Sequence, residues 1–130
     1  VRQLGSGRAY GDNVGFLCDL PNRRSFSPDC AYYSGPRAGL KFLPQAPDFA
    51  VEVRSQEDYG PASERRIAQK IRDYFAAGTQ VVWDVDTVAC EVRVYRATCP
   101  DDRQTFCSGE FADAEPAVPG WRFPVAELLN

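Results

Sequence analysis

Hydrophobic and polar positions follow different periods along the chain, and the clearest period is that of a helix. Four apolar residues fall at i, i+4, i+7 and i+8, which places them on one face of an α-helix. These residues are Ile67, Ile71, Tyr74 and Phe75. We predict a helix over residues 64–77, with Ser63 as its N-cap and Gly78 as the residue that ends it.

Strand-like patterns lie on both sides of this helix. Residues 49–54 alternate, so that every second side chain points to the same face of a strand. One face carries Phe49, Val51 and Val53, and the other carries Ala50, Glu52 and Arg54. After the helix, the apolar run Val81–Asp86 predicts a buried strand. The alternating residues 90–96 predict a half-exposed strand that forms a hairpin with it.

The first third of the chain predicts two further strands and several turns. The glycine-rich residues 5–12 predict a turn, because they lack the G-K-[ST] ending of a phosphate-binding loop and no strand precedes them. Residues 14–17 predict one strand and residues 25–33 a second, joined by a hairpin turn at residues 21–24. Residues 34–47 are rich in Gly and Pro, and they predict a loop long enough to act as a flap beside a site.

The last third is more polar. Residues 97–116 predict an acidic connection with a short strand at residues 105–107, and residues 117–129 predict an apolar tail that packs back on the sheet. The element order is therefore strand, strand, strand, helix, strand, strand. This order predicts an α/β fold, a central mixed β-sheet with one main helix packed on it. A length of 130 residues predicts a single domain over residues 1–130.

Composition narrows the classes of function. The net charge of −3 argues against a globally basic nucleic-acid binder. It leaves open a local basic groove, which Arg23-Arg24, Arg65-Arg66 and Arg72 would form if they converge in the fold. The alternative is scattered surface charge. The chain has no histidine, so Ser-His-Asp and Cys-His mechanisms are excluded, and catalysis must rest on carboxylates, Lys, Arg, Tyr or a metal.

The five cysteines form no C-x-x-C pair, which predicts reduced thiols in a cytoplasmic protein. A Cys99–Cys107 disulfide is the main alternative. No apolar run approaches the roughly 18 residues of a membrane span, so we expect no membrane association.

Four charged positions are candidates for a site: Asp29, Asp48, Glu52 and Lys70. A carboxylate within an apolar strand is costly to bury unless it is paired, hydrogen-bonded or metal-bound. Glu52 therefore lies on a solvated face or lines a cleft. Two carboxylates on neighbouring strands could hold Mg²⁺, while a nearby lysine orients the attacking water. Surface charge or a structural ion pair is the alternative interpretation of the same residues.

Several motifs occur together in an order that points to a family. They are PD, PDFAVEVRS, K-x-x-x-Y-x-x-x-G, VVWDVD, VRVYR and VPGWRFPVAELL. As a set, from about Gly7 to the C-terminus, they resemble the Uma-two family of restriction-endonuclease-like proteins, a branch of the PD-(D/E)XK nuclease superfamily. The resemblance implies a bacterial, Mg²⁺- or Mn²⁺-dependent endonuclease that hydrolyses DNA phosphodiester bonds.

The resemblance also implies roles for individual residues. Asp29 and Glu52 would hold the divalent metal. Arg54 stands at the E-x-K lysine position, where it could clamp a phosphate but cannot act as a base. Lys70, on the following helix, would replace the missing lysine and complete the catalytic set.

Two further residues are candidates for the site, and one feature of the chain departs from the pattern of the superfamily. Asp48 would assist at the site or only begin its strand, and Tyr74 is a possible additional site residue. The superfamily usually has an N-terminal helix with another acidic residue, and nothing before Gly5 can form that helix, so we expect it to be missing or truncated. A catalytically silent nuclease-fold module that binds protein or nucleic acid is therefore the alternative function. A homodimer assembled through the sheet or the C-terminal tail is a third possibility.

Overall fold

The computed structural model describes residues 2–4, 7–37 and 42–128. The strands are β1 (Arg2–Leu4), β2 (Gly7–Tyr10), β3 (Gly15–Leu20), β4 (Arg23–Phe26), β5 (Cys30–Tyr33), β6 (Phe42–Leu43), β7 (Phe49–Val53), β8 (Val81–Asp86), β9 (Glu91–Arg96), β10 (Cys99–Cys107), β11 (Phe111–Asp113) and β12 (Arg122–Pro124). The helices are α1 (Pro61–Ala76) and α2 (Val125–Leu128). No helix among these residues is long and apolar enough to cross a membrane.

A seven-stranded sheet forms the centre, in the order β1-β2-β5-β7-β8-β9-β10. Among the described strands of this sheet, β7 and β8 are the parallel pair, with Glu52 opposite Asp84, because α1 connects them and returns the chain to the same end of the sheet. The other pairs in this sheet are antiparallel. The predicted α/β fold, a mixed sheet with one main helix, is therefore confirmed.

Helix α1 begins three residues before the predicted start. Gly60, with φ of 99°, precedes it, and Pro61 occupies the first turn, where a missing N–H costs nothing. Ser63 therefore lies inside the helix rather than at the N-cap, and its hydroxyl donates to the carbonyl of Glu57 at 3.2 Å. The predicted end is confirmed, since Gly78 follows the helix with φ of 107°.

The two faces of β7 contribute to two different cores, as its alternation predicts. Ala50 packs with Ile71 and Tyr74 of α1 beneath the small sheet β4-β3-β6. Phe49 and Val51 pack on the opposite face with Trp83 and the C-terminal segment. That segment contributes a set of packed apolar residues: Ala117, Val118, Trp121, Phe123, Val125 and Leu128. The prediction that the tail packs back on the sheet is confirmed.

Three predictions about strands are wrong. Residues 7–10 of the predicted turn form β2, where Gly7 is needed because a Cβ atom would lie 2.6 Å from the ring of Tyr32. The predicted strand over residues 25–33 is two strands in different sheets, separated at Ser27-Pro28-Asp29 because Pro28 has no N–H to donate.

The third wrong prediction concerns the polar connection after β9. Residues 99–107 form one long edge strand rather than a short strand at its end. Cys99 and Cys107 pair with Arg96 and Glu91, which lie five residues apart on β9, about 17 Å at strand rise, so a disulfide between them is excluded. All five cysteines are free thiols. The predicted flap contains β6, which pairs with β3, and its residues 38–41 lie outside the described residues.

Candidate active site

Glu52 lines a cleft between β7 and α1, and it does not stand on an open solvated face. Its Oε2 atom accepts a hydrogen bond from the hydroxyl of Tyr74 at 2.6 Å and lies 3.0 Å from Nζ of Lys70. The side chains of Glu52 and Lys70 are 25% and 29% exposed, so both are shielded yet reachable from solvent. Lys70 and Tyr74 are one turn apart on α1, which brings both to the same carboxylate.

Tyr74 fixes the position of Glu52 from the buried side of the cleft. The tyrosine is fully buried, and its ring stacks on Phe26 with the centroids 4.0 Å apart. Burial and then the negative charge of Glu52 raise the pKa of Tyr74 far above its ordinary value. The hydroxyl therefore stays protonated at neutral pH, where it serves as a hydrogen-bond donor and not as a base.

Asp29 lies beside the same strand. Its Oδ2 atom accepts a hydrogen bond from the backbone N–H of Val53 at 2.7 Å, and its own N–H donates to the carbonyl of Val51 at 3.0 Å. These bonds hold the Asp29 carboxylate next to the peptide that follows Glu52. The negative charge of Asp29 also contributes to the raised pKa of Tyr74. The structure thus brings Asp29, Glu52 and Lys70 to one end of β7.

The donor chemistry of this end of β7 fits a magnesium ion. Glu52 uses Oε2 and Asp29 uses Oδ2 in the contacts above, and each keeps a second carboxylate oxygen. Mg²⁺ prefers oxygen ligands and commonly binds through one or two carboxylates, with water or phosphate completing its shell. Among the described residues, no group of three or more acidic or cysteine side chains could hold a metal ion. The fit therefore rests on two carboxylates.

The cleft has a volume of about 280 Å³ and is not acidic, although the whole chain is. Its charged lining comprises Arg23, Glu52, Arg54, Asp58, Arg66, Lys70 and Asp84. Of the arginines that would form a basic groove if they converged, Arg23 and Arg66 line this cleft together with Lys70. Arg24 and Arg65 are exposed, and Arg72 lies at a separate depression on the other side of α1.

Arg54 is placed differently from the expected phosphate clamp. Its Nε and Nη2 atoms donate to the carboxylate of Asp84 at 2.9 Å each, and the side chains of this pair are 4% and 3% exposed. The remaining donors reach the carboxylate of Glu64 and the carbonyl of Asp58. All five N–H groups of Arg54 are directed at protein oxygens, so this side chain ties β7 to β8 and to the first turn of α1.

Asp48 is not brought to the cleft. It stands before the first residue of β7, four residues from Glu52, which is about 13 Å along an extended chain. Its Oδ2 atom accepts from the backbone N–H of Ser34 at 2.6 Å, and its carbonyl accepts from the N–H of Gln80 at 2.9 Å. Asp48 fixes the connections at the opposite end of the strand.

Two groups of charged residues near the site were not predicted from the sequence. Arg93 joins the Arg54–Asp84 pair and also contacts Asp86 at 2.8 Å. Asp73, on α1, accepts from Arg23 at 3.0 Å and ties the β3–β4 hairpin to the helix. A usable signal for the first group was present in the run VVWDVD, since two aspartates in a fully buried strand require cationic partners.

Comparison with known families and structures adds a second line of evidence. A family model described as "Uma2: Putative restriction endonuclease" matches residues 1–126. The chain belongs to the Uma2 family. The resemblance seen in the motifs is thereby confirmed, and membership of Uma2 supports a nuclease. A comparison with curated proteins found no match.

The Uma2 chain is also similar to a solved structure, described as a "putative nuclease belonging to DUF820" from Anabaena variabilis ATCC 29413. The TM-score is 0.73 at 20% sequence identity, over 95% of this chain and 68% of that chain. At this identity the likeness establishes the fold.

Proposed function

We propose that this Uma2 protein is a Mg²⁺-dependent endonuclease that hydrolyses DNA phosphodiester bonds. The observation that carries the proposal is the contact of Lys70 and Tyr74 with one carboxylate oxygen of Glu52, in the lining of a cleft and next to the strand residue that Asp29 contacts. Two carboxylates, one lysine and a cleft that also contains arginines are the parts that metal-assisted phosphodiester hydrolysis requires.

Each residue has a separate task in this proposal. Asp29 and Glu52 would hold the metal ion through their remaining oxygens. A bound Mg²⁺ supplies Lewis-acid stabilisation of the phosphate charge and lowers the pKa of a bound water. Lys70 orients the attacking water or a phosphate oxygen with its ammonium group, and Tyr74 keeps Glu52 in one position by donating to it.

The second candidate function is a catalytically silent module of the same fold that binds nucleic acid or protein. Its support is the ion pair between Lys70 and Glu52, which neutralises the two groups against each other. The limit of two carboxylates in the described part of the site favours it as well. The two functions differ in whether a metal displaces Lys70 from Glu52.

Calorimetric titration with Mg²⁺ and Mn²⁺ tests the metal site directly. We expect binding by the wild type and loss of binding in Glu52→Gln, which keeps the shape of the side chain but removes its charge. Glu57→Gln is the matched control, because Glu57 is an exposed acid on the neighbouring loop. Absence of binding at millimolar metal would contradict the proposal and favour the silent module.

Cleavage of supercoiled plasmid DNA then tests catalysis. We expect Lys70→Ala to lose cleavage by about a hundredfold or more, as when an electrostatic group at a transition state is removed. Arg65→Ala is the control, since it removes a cation from an exposed position on the same helix. Equal cleavage by wild type and Lys70→Ala would exclude the role of Lys70.

A further inference from the structure

The cleft contains an arginine whose guanidinium is held by the protein at one edge and available to a ligand at the other. We propose that Arg23 binds a phosphate of the nucleic acid in this cleft, an assignment that rests on the proposed function. Arg23 begins β4, lines the same cleft as Glu52 and Lys70, and has a side chain that is 28% exposed. Its positive charge is close enough to Tyr74 to lower the pKa of that residue against the other contributions.

One edge of the Arg23 guanidinium is held in place. Its Nε atom donates to Oδ2 of Asp73 at 3.0 Å, and its Cζ atom lies over the ring of Phe26, 5.1 Å from the centroid. Asp73 is itself buried and accepts further hydrogen bonds from Asn22 and Gln69. The arginine therefore does not have to be ordered when a ligand arrives, which lowers the entropic cost of binding.

The other edge of the same guanidinium is available. Among residues 7–37 and 42–128, whose side chains the structure describes, the hydrogen bond that the Arg23 guanidinium donates comes from Nε, and Nη1 and Nη2 donate none. Two parallel N–H groups on a planar fork match two phosphate oxygens, and such bidentate pairs are the strong form of phosphate recognition.

The other arginines of the cleft lack this combination. Arg54 has all five donors on protein oxygens, as described above. Arg66 uses Nη1 on the hydroxyl of Ser63 and Nη2 on the carboxylate of Asp58. A purely structural role for Arg23 would be satisfied by its contact with Asp73 and would not require a side chain that lines the cleft and is 28% exposed. The geometry therefore assigns ligand contact to Arg23.

Arg23 is also connected to the carboxylate end of the cleft. Phe26 contacts both the Arg23 guanidinium and the ring of Tyr74, whose hydroxyl donates to Glu52. One packed unit thus fixes the phosphate-binding cation and the carboxylate relative to each other. A phosphate held by Arg23 and Lys70 would be brought to the oxygen ligands proposed for Mg²⁺.

Fluorescence anisotropy with a short labelled DNA duplex in EDTA tests this assignment without metal or catalysis. We expect Arg23→Gln to weaken binding by about tenfold or more, the loss that follows from removing a charge-assisted hydrogen bond. The slope of log affinity against log salt should fall by about one, because one phosphate contact is lost.

The neighbouring arginine provides a matched control. Arg24 is 78% exposed and contacts Asp19, which is 99% exposed, and the carbonyl of Leu20, so Arg24→Gln removes the same formal charge one residue away. We expect Arg24→Gln to bind DNA as the wild type does. Wild-type affinity in Arg23→Gln, or an equal loss in both variants, would overturn the assignment.

Because Arg23→Gln also removes a partner of Asp73, urea unfolding must accompany the binding measurement. If that variant does not fold, Arg23→Lys replaces it, since lysine keeps the charge but has no bidentate fork. A loss of at least a few-fold in Arg23→Lys supports the assignment, and wild-type affinity overturns it. Weakened DNA binding in the Arg23 variant, together with a wild type that never cleaves DNA, would retain Arg23 and reject the nuclease. Undiminished binding and cleavage in a folded Arg23 variant would retain the nuclease and reject Arg23.

Discussion

Replacing Arg54 with methionine separates a structural role from a role in binding phosphate. The substitution keeps an unbranched side chain of similar length but removes five donors from the interior. Asp84, with a side chain only 3% exposed, would then keep Arg93 at 3.4 Å as its cationic contact. Glu64 would lose its partner too, but its side chain is 53% exposed and can be solvated by water.

The expected loss of stability follows from this difference between the two acids. Removing one partner of a buried ion pair costs about 3–5 kcal/mol, because the remaining charge stays in a poorly solvated site. Arg93 remains beside Asp84, so we expect about 3 kcal/mol for Arg54→Met, near the lower limit. The Glu64 contact, at the surface, adds at most about 1 kcal/mol. Such a loss is a large part of the roughly 5–15 kcal/mol that stabilises a domain.

Urea unfolding followed by circular dichroism measures the loss. The double variant Arg54→Met/Asp84→Leu should recover most of it, since an apolar pair of similar volume avoids the unpaired charge. Arg65→Met, at an exposed position of α1, should change the unfolding free energy by less than about 0.5 kcal/mol. The reasoning would be refuted if Arg54→Met unfolded like the wild type but bound DNA more weakly, because Arg54 would then serve the ligand and not the fold.

Three further perturbations test other parts of the structure. Tyr74→Phe removes the hydroxyl that donates to Glu52 but keeps the ring stacked on Phe26. We expect the free energy of unfolding in urea to fall by about 1.5–3 kcal/mol and Mg²⁺ binding measured by calorimetry to weaken. An unchanged metal affinity would contradict the role of Tyr74 in positioning Glu52. Gly78→Ala should cost about 1–2 kcal/mol because φ is 107°, whereas Gly11→Ala, at a position with open space and no positive φ, should cost little in the same assay. Burial alone would raise the pKa of Asp73, but hydrogen bonds from Gln69, Arg23 and Asn22 outweigh it and lower that pKa in the folded state. The free energy of unfolding should therefore hold at neutral pH and fall as the pH drops below about 4. Asp73→Asn should flatten that decline, and a stability that rises on acidification would contradict the sign.

The parts of the fold that the sequence predicts well are those determined by local periodicity. The stripe from Ile67 to Phe75 specifies which side of α1 is buried, and the alternation of residues 49–54 specifies which side of β7 faces it. Both patterns depend only on the geometry of one element. The set of motifs also predicts the Uma2 family correctly, because the motifs are spread over most of the chain.

Two features of the structure depend on partners that are distant in sequence. The glycine-rich sequence around Gly7 predicts a turn. In the fold Gly7 lies against Tyr32, and this contact explains why a glycine stands in a strand. Arg54 reads as a ligand for phosphate because it lies two residues after Glu52. Its actual partner, Asp84, belongs to the strand that follows the helix. Pairing of buried charges is decided by the sheet register, which the local sequence does not contain.

The register also explains how Lys70, the lysine proposed to replace the one on the strand, reaches Glu52 from the helix. Glu52 and Arg54 share the face of β7 that α1 covers, and Glu52 lies directly opposite Asp84. With Arg54 bound to Asp84 and to Glu64 in the first turn of α1, the helix is fixed above this face. Lys70, six residues after Glu64, is about 9 Å further along the helix axis, and it meets Glu52 there. The arginine at the strand position therefore contributes indirectly, because it holds the helix that carries the lysine.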